Sequence, residues 1–208
     1  MHGVITTSAH IRKRIGALFS VYASVMQKPF EIETIARQEL RRDRLFPLLT
    51  PEQCDFYLRA ALEIGVRQAA RHKGEAILPL AARLGATVEE YDGGSVEAGS
   101  VIYAEYDAAF RRIRLHRAGI DHLAARIGRG LSEGSARAIA LDLLLAHELF
   151  HHLEATCLGP VHRTLPPIAV PVLRGLLRVH RHVLRTREIA AHSFAHSLIG
   201  STDRLDRG

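Results

Sequence analysis

Nine consecutive residues, Ala138 to Ala146, carry one charge, Asp142, and run without a break into His147-Glu148-Leu149-Phe150-His151-His152. The stretch holds no Pro or Gly and is rich in Ala and Leu, so it reads as a helix. A helix this apolar must be buried. A buried helix that ends on three histidines and a glutamate pays a high desolvation cost unless those groups find partners. The fold must therefore bring polar groups from elsewhere in the chain to residues 147–152.

The spacing says what those partners serve. His147 and His151 are four residues apart, which puts both imidazoles on one helix face, one turn apart, where they can grip one metal ion. Glu148 projects toward the same side. It is placed to take a proton from water at the metal rather than to bind the ion. Zinc held by three protein ligands keeps a fourth position for that water and lowers its pKa to about 7. His152 points about 100° away from His151 and is expected beside the site, not in it.

The third ligand must come from outside this motif. Glu154 lies seven residues after His147, about 10 Å along a straight helix. That is too far to share an ion, so Glu154 is expected to support a ligand or face solvent. The remaining acidic candidate is Glu188, in a last helix read from about Thr186 to Ile199. His192, one turn later, either orients His147 or His151, holds a developing oxyanion, or replaces Glu188 as ligand. His196 reads as a half-exposed histidine. Cys157 is expected to be a half-buried core thiol rather than a ligand.

HELFHH followed by Glu188-Ile189-Ala190-Ala191-His192-Ser193-Phe194-Ala195 resembles the gluzincin branch of the zincins, and within it the ImmA/IrrE-type metallopeptidases. Those proteins show HExxH and, later, a helix of the kind E-x-x-A-N-x-F-A. Glu188, Ala191, Phe194 and Ala195 match that pattern, and His192 stands where the family often has Asn. The resemblance covers about residues 75–200. It implies a zincin-like fold, a Zn²⁺ cofactor held by His147, His151 and Glu188, and an intracellular setting in which some such proteins cleave or regulate a DNA-bound repressor. Residues 1–73 match nothing in that pattern, and the interval from His151 to Glu188 is long for it.

The rest of the chain predicts an α+β fold in a single domain, 1–208, with a helical N-terminal region, 1–73, and a zincin-like region, 74–208. Ile11 to Met26 repeats apolar residues at helical spacing and reads as an amphipathic helix rather than a signal segment. Helices are expected over 31–46, from Thr50-Pro51 to about Arg71, with Thr50 as N-cap and Gln53 three residues after it, and over 75–84, where Pro79 should kink or split the last. Thr87–Tyr91, Val101–Tyr106 and Phe110–His116 read as about three strands. Asp107-Ala108-Ala109 is expected to turn the last two into a hairpin, and Asp92-Gly93-Gly94 to be a turn. Helices follow at about 118–128 and 133–154. Gly159–Pro171 reads as a Pro-rich loop placed like a lid, and Val172–Leu184 as a helix.

Composition limits the partners. The net charge of +6 is nearly all Arg, since Lys13, Lys28 and Lys73 are the only lysines, and no Lys/Arg stripe is interleaved with aromatics. Direct nucleic-acid binding is therefore not expected. Cys54 and Cys157 form no CxxC pair, which fits a reducing compartment and a cytoplasmic location. No apolar run approaches the length of a membrane span. The expected activity is zinc-dependent hydrolysis of a peptide bond, with Glu148 as general base and His192 assisting, on a restricted intracellular protein substrate. The rival readings are a non-catalytic zinc-binding regulator, its fourth position closed by Cys157 or His192, and an interaction protein whose Arg-rich surface engages an acidic partner.

Overall fold

The structure, a computed structural model, describes residues 29–92, 102–128, 130–173 and 176–202. The Ile11–Met26 segment and Gly93-Gly94 lie outside the described residues. Helix α1 spans Pro29–Arg41 and is followed by a 3-10 turn, Phe46–Leu48. It stops short of the expected residue 46 because Asp43 folds back. Its Oδ1 accepts the Leu45 N–H at 2.8 Å and its Oδ2 accepts the Arg185 N–H at 2.8 Å. Helix α2 spans Pro51–Ala70 and opens on the expected capping box. Thr50 Oγ1 accepts from Gln53 N–H and Gln53 Oε1 accepts from Thr50 N–H. Helix α3 spans only Ile77–Arg83, which puts Pro79 in its first turn. A proline there removes an N–H that has no helical partner anyway, so the expected kink does not occur.

Strands β1 (Thr87–Tyr91), β2 (Ala104–Asp107) and β3 (Arg112–His116) form a sheet in the order β1-β3-β2, with β1 parallel and β2 antiparallel to β3. The expected hairpin is present. Asp107 Oδ1 accepts the N–H of Ala109 at 3.1 Å, and Arg111 takes a φ of 50° in the turn. On one face Arg114 joins Glu89 of β1 to Glu105 of β2. On the other, Ile113 and Leu115 are buried. That apolar face lies against α5, Glu133–Leu153, which follows α4, Arg117–Ile127.

After α5 the chain makes a π-helical turn, Glu154–Leu158, and a short helix α6, Val161–Thr164. The expected loop and helix of 159–184 are then replaced by an antiparallel hairpin, β4 (Ile168–Val172) with β5 (Leu177–Arg181). Val170 faces Val179 across it. The alternating β-branched residues of β4 suit a pleated ribbon, and the apolar residues of 172–184 are as compatible with a strand as with a helix. Pro171 is tolerated because a two-stranded ribbon has only edges.

Helix α7, Thr186–Thr202, contributes to both halves of the core. Ile189 packs with Ala36, Leu40, Tyr57, Leu58 and Ala61 of α1 and α2. Ala190, Ala191, Phe194 and Leu198 pack with Leu145, Leu149 and Phe150 of α5. The helix is thus buried on nearly all sides. Its most extensive contact is with α2, and at Gly65 the two backbones meet directly. The N-terminal helices therefore back the late helix rather than standing apart from it. Among the described residues no helix is long and apolar enough to cross a membrane.

Candidate metal centre

The last two turns of α5 present His147 and His151 on one face, as their spacing requires, and the first turn of α7 presents Glu188 to both. His147 Nε2 lies 3.4 Å from Glu188 Oε2, His151 Nε2 lies 3.5 Å from the same oxygen, and the two Nε2 atoms are 3.3 Å apart. The three residues form a group that could hold a metal ion. The donor set fits one. Ligands at about 2.0–2.1 Å from a tetrahedral ion stand about 3.3–3.4 Å apart, and these three atoms stand at nearly those distances.

Glu148 is buried beside them, 9% exposed. Burial pushes its carboxyl above the ordinary carboxylate range, and the neighbouring His147 and His151 pull against that without reversing it. Burial works against ionised Glu188 as well, but there the hydrogen bonds from His147 and His151 dominate and hold the carboxyl well below its usual range. The two glutamates are thus set apart, one retaining a proton more readily and one remaining a carboxylate.

His192 stands on α7 one turn after Glu188, its ring centre 4.6 Å from that of His147 at a tilt of 56°. It is outside the three-atom group. Burial first, and the nearby His147 second, lower its pKa to about 3, so it is a neutral imidazole with one N–H to donate. His152 is fully buried and turned away, as its position predicts. Its Nδ1 meets the Tyr106 hydroxyl at 3.0 Å and its Nε2 the Leu84 carbonyl at 2.9 Å. The Tyr103 hydroxyl meets His122 Nδ1 at 3.1 Å. Cys157 is exposed in the π turn, not half-buried, because the widened turn carries it away from the core.

Glu154 is buried and bonded to His151 Nδ1 at 3.3 Å, on the far side of the ring from Nε2. It does not face solvent, the second of its two expected places, but lies against the His151 ring. Arg187, which binds the same carboxylate at 3.0 Å, was not distinguishable in the sequence. The available signal was only its place directly before Glu188 with the opposite charge.

In the metal-free protein, burial disfavours a charged His151. Its hydrogen bonds to Glu154 and Glu188 outweigh this and hold the imidazolium up to about 9. An unperturbed histidine titrates near about 6.5. The folded value is the higher one, so this proton stabilises the metal-free fold fully below about 6.5, and the gain is lost as pH rises through about 9. A metal must displace it. Apparent metal affinity should therefore climb with pH across that window, and loading at about pH 7.5 should release about one proton. Calorimetric titration in buffers of different ionisation enthalpy measures the release, and zero protons would reject the assignment.

The sequence matches no protein-family model, and no curated protein and no solved structure matches the chain.

Proposed function

We propose that the chain is a zinc-dependent peptidase with a zincin-like fold, in which His147, His151 and Glu188 hold the ion and Glu148 is the general base. The observation that carries this reading is the convergence of three ligand atoms, 3.3–3.5 Å from one another, beside a buried glutamate. Those separations suit a tetrahedral ion such as zinc. An octahedral set at about 2.1 Å would stand only about 3.0 Å apart. The resemblance of the HELFHH and Glu188–Ala195 segments to ImmA/IrrE-type metallopeptidases supports the same reading.

Zinc in such a set supplies Lewis-acid polarisation and an acidified water. Glu148 accepts the proton of the attacking water on its carboxylate and returns it to the leaving amide nitrogen. Its raised proton affinity suits both halves of that transfer. His192 donates its N–H to the carbonyl oxygen as negative charge develops there. Strand β2 is the edge of the sheet beside α5, so an extended peptide can add to it by backbone hydrogen bonds. The substrate we propose is a restricted protein of the chain's own, intracellular, compartment. The zinc-regulator reading needs a fourth protein ligand, and neither Cys157 nor His192 belongs to the group of three.

Elemental analysis of the purified protein should find about one zinc per chain, and His147→Ala or His151→Ala should reduce this to background. Incubation with a mixed peptide library should yield cleavage, with denatured casein a poor substrate. Full zinc content in either histidine variant would end the assignment, and rapid indiscriminate casein digestion would end the restricted specificity.

A further inference from the structure

We propose that Glu154 and Arg187 are a positioning pair for the metal centre. In it, Glu154 takes the Nδ1–H of His151 and so turns Nε2 toward the ion, and Arg187 holds Glu154 to that task. The proposal rests on the reading of His147, His151 and Glu188 as ligands.

His151 Nδ1 faces two opposed partners at the same distance. Glu154 Oε2, an acceptor, lies at 3.3 Å, and Arg187 Nη2, a donor, also lies at 3.3 Å. If Nδ1 accepted from Arg187, the neutral ring would carry its proton on Nε2, aimed at His147 and Glu188, and no ion could bind there. If Nδ1 donates to Glu154, Nε2 offers its lone pair to the ion. The second arrangement is favoured because Arg187 is already engaged. Its Nε donates to Glu154 Oε2 at 3.0 Å and its Nη2 reaches the same oxygen at 2.8 Å. The guanidinium thus holds Glu154 Oε2 in place beside the His151 ring.

The same carboxylate ties three elements together. Glu154 is the first residue of the π turn that follows α5, and its Oε1 accepts the Val161 N–H at 2.8 Å at the start of α6. Arg187 sits one residue before Glu188 in the first turn of α7. One carboxylate, only 4% exposed, therefore fixes the ring of one ligand and the chain segment that carries another. A surface ion pair would do neither.

The test uses the full chain. Zinc affinity is measured by competition with a chromophoric chelator, and histidine tautomers by long-range ¹H–¹⁵N correlation of the zinc-loaded, ¹⁵N-histidine-labelled protein. Glu154→Ala should weaken zinc binding by about 10- to 100-fold. Glu154→Gln, which keeps an acceptor oxygen, should recover part of that loss, and Arg187→Met should lose a smaller factor. His151 in the unchanged protein should show Nδ1–H and zinc on Nε2. A merely structural pair would lower the unfolding temperature of the metal-free variants without moving the zinc affinity or the tautomer. Unchanged zinc affinity in Glu154→Ala, with zinc still lost in His147→Ala, would overturn the pair and leave the ligand reading standing. A protein that takes up no zinc would overturn both.

Discussion

Glu148→Gln should retain about one zinc per chain and lose about 10²- to 10⁴-fold in turnover. The change is nearly isosteric, so His147, His151 and Glu188, the proposed ligands, keep their positions. It removes only the capacity to accept and return a proton. The local environment makes the separation clean. Glu148 is buried, and burial already raises its carboxyl above the ordinary range. Replacing a buried ionisable group by a neutral amide removes a desolvation cost, so the variant should be no less stable than the parent. Zinc content, unfolding temperature and kcat on a peptide chosen from the library therefore test the role from three sides. Full turnover in Glu148→Gln would sink the general-base assignment. Loss of zinc with turnover would make Glu148 a ligand instead.

Gly65→Ala, a change far from the metal ligands in sequence, should cost about 1–3 kcal/mol of stability, and Gly65→Val more. A Cβ at position 65 would lie 2.4 Å from the Ala190 carbonyl oxygen, 2.6 Å from Ser193 Cβ and 2.7 Å from the Phe194 nitrogen. Two of these three atoms are backbone, so α2 and α7 would have to move apart. Alanine is the better helix former by about 0.8–1.0 kcal/mol, but that gain is smaller than the cost of prising apart two packed helices. Separation would also strain the hydrogen bond from Ser193 Oγ to the Leu62 carbonyl, 2.7 Å long. Because α7 carries Glu188, zinc affinity should fall with stability although no ligand has changed. Gly134→Ala is the control. A Cβ there meets nothing within 4 Å, so the same substitution should be neutral or stabilising. Urea unfolding compares the two, and equal stability of the two variants would reject the close-crossing argument.

Much of the centre was legible in residues 138–154 because its information is local. Helical spacing alone puts His147 and His151 on one face and turns His152 away. Capping chemistry at Thr50-Pro51-Gln53 and the Asp107 turn were legible for the same reason, since each is satisfied within four residues. The region 159–184 was misread because its signals conflict locally. The prolines mark a loop, the leucines suit a helix, and only the pairing of β4 with β5, between Val170 and Val179 among others, selects the strand. Cys157 was misplaced by the π turn, which no residue pattern announced.

The sequence by itself determined that α5 must be buried and must meet polar partners, because so apolar a helix has no other way to accommodate His147, Glu148 and His151. It also put Glu188 and His192 forward on a second helix. What only the tertiary structure decided is how those helices meet. The three atoms that could hold an ion come within 3.5 Å because α2 backs α7 without a side chain at Gly65, and because Glu154 and Arg187 join the end of one helix to the start of the other. Residues 33 positions apart in the chain carry no mark of that contact. Their distance is set by the packing of whole helices, a property of the summed core rather than of either segment.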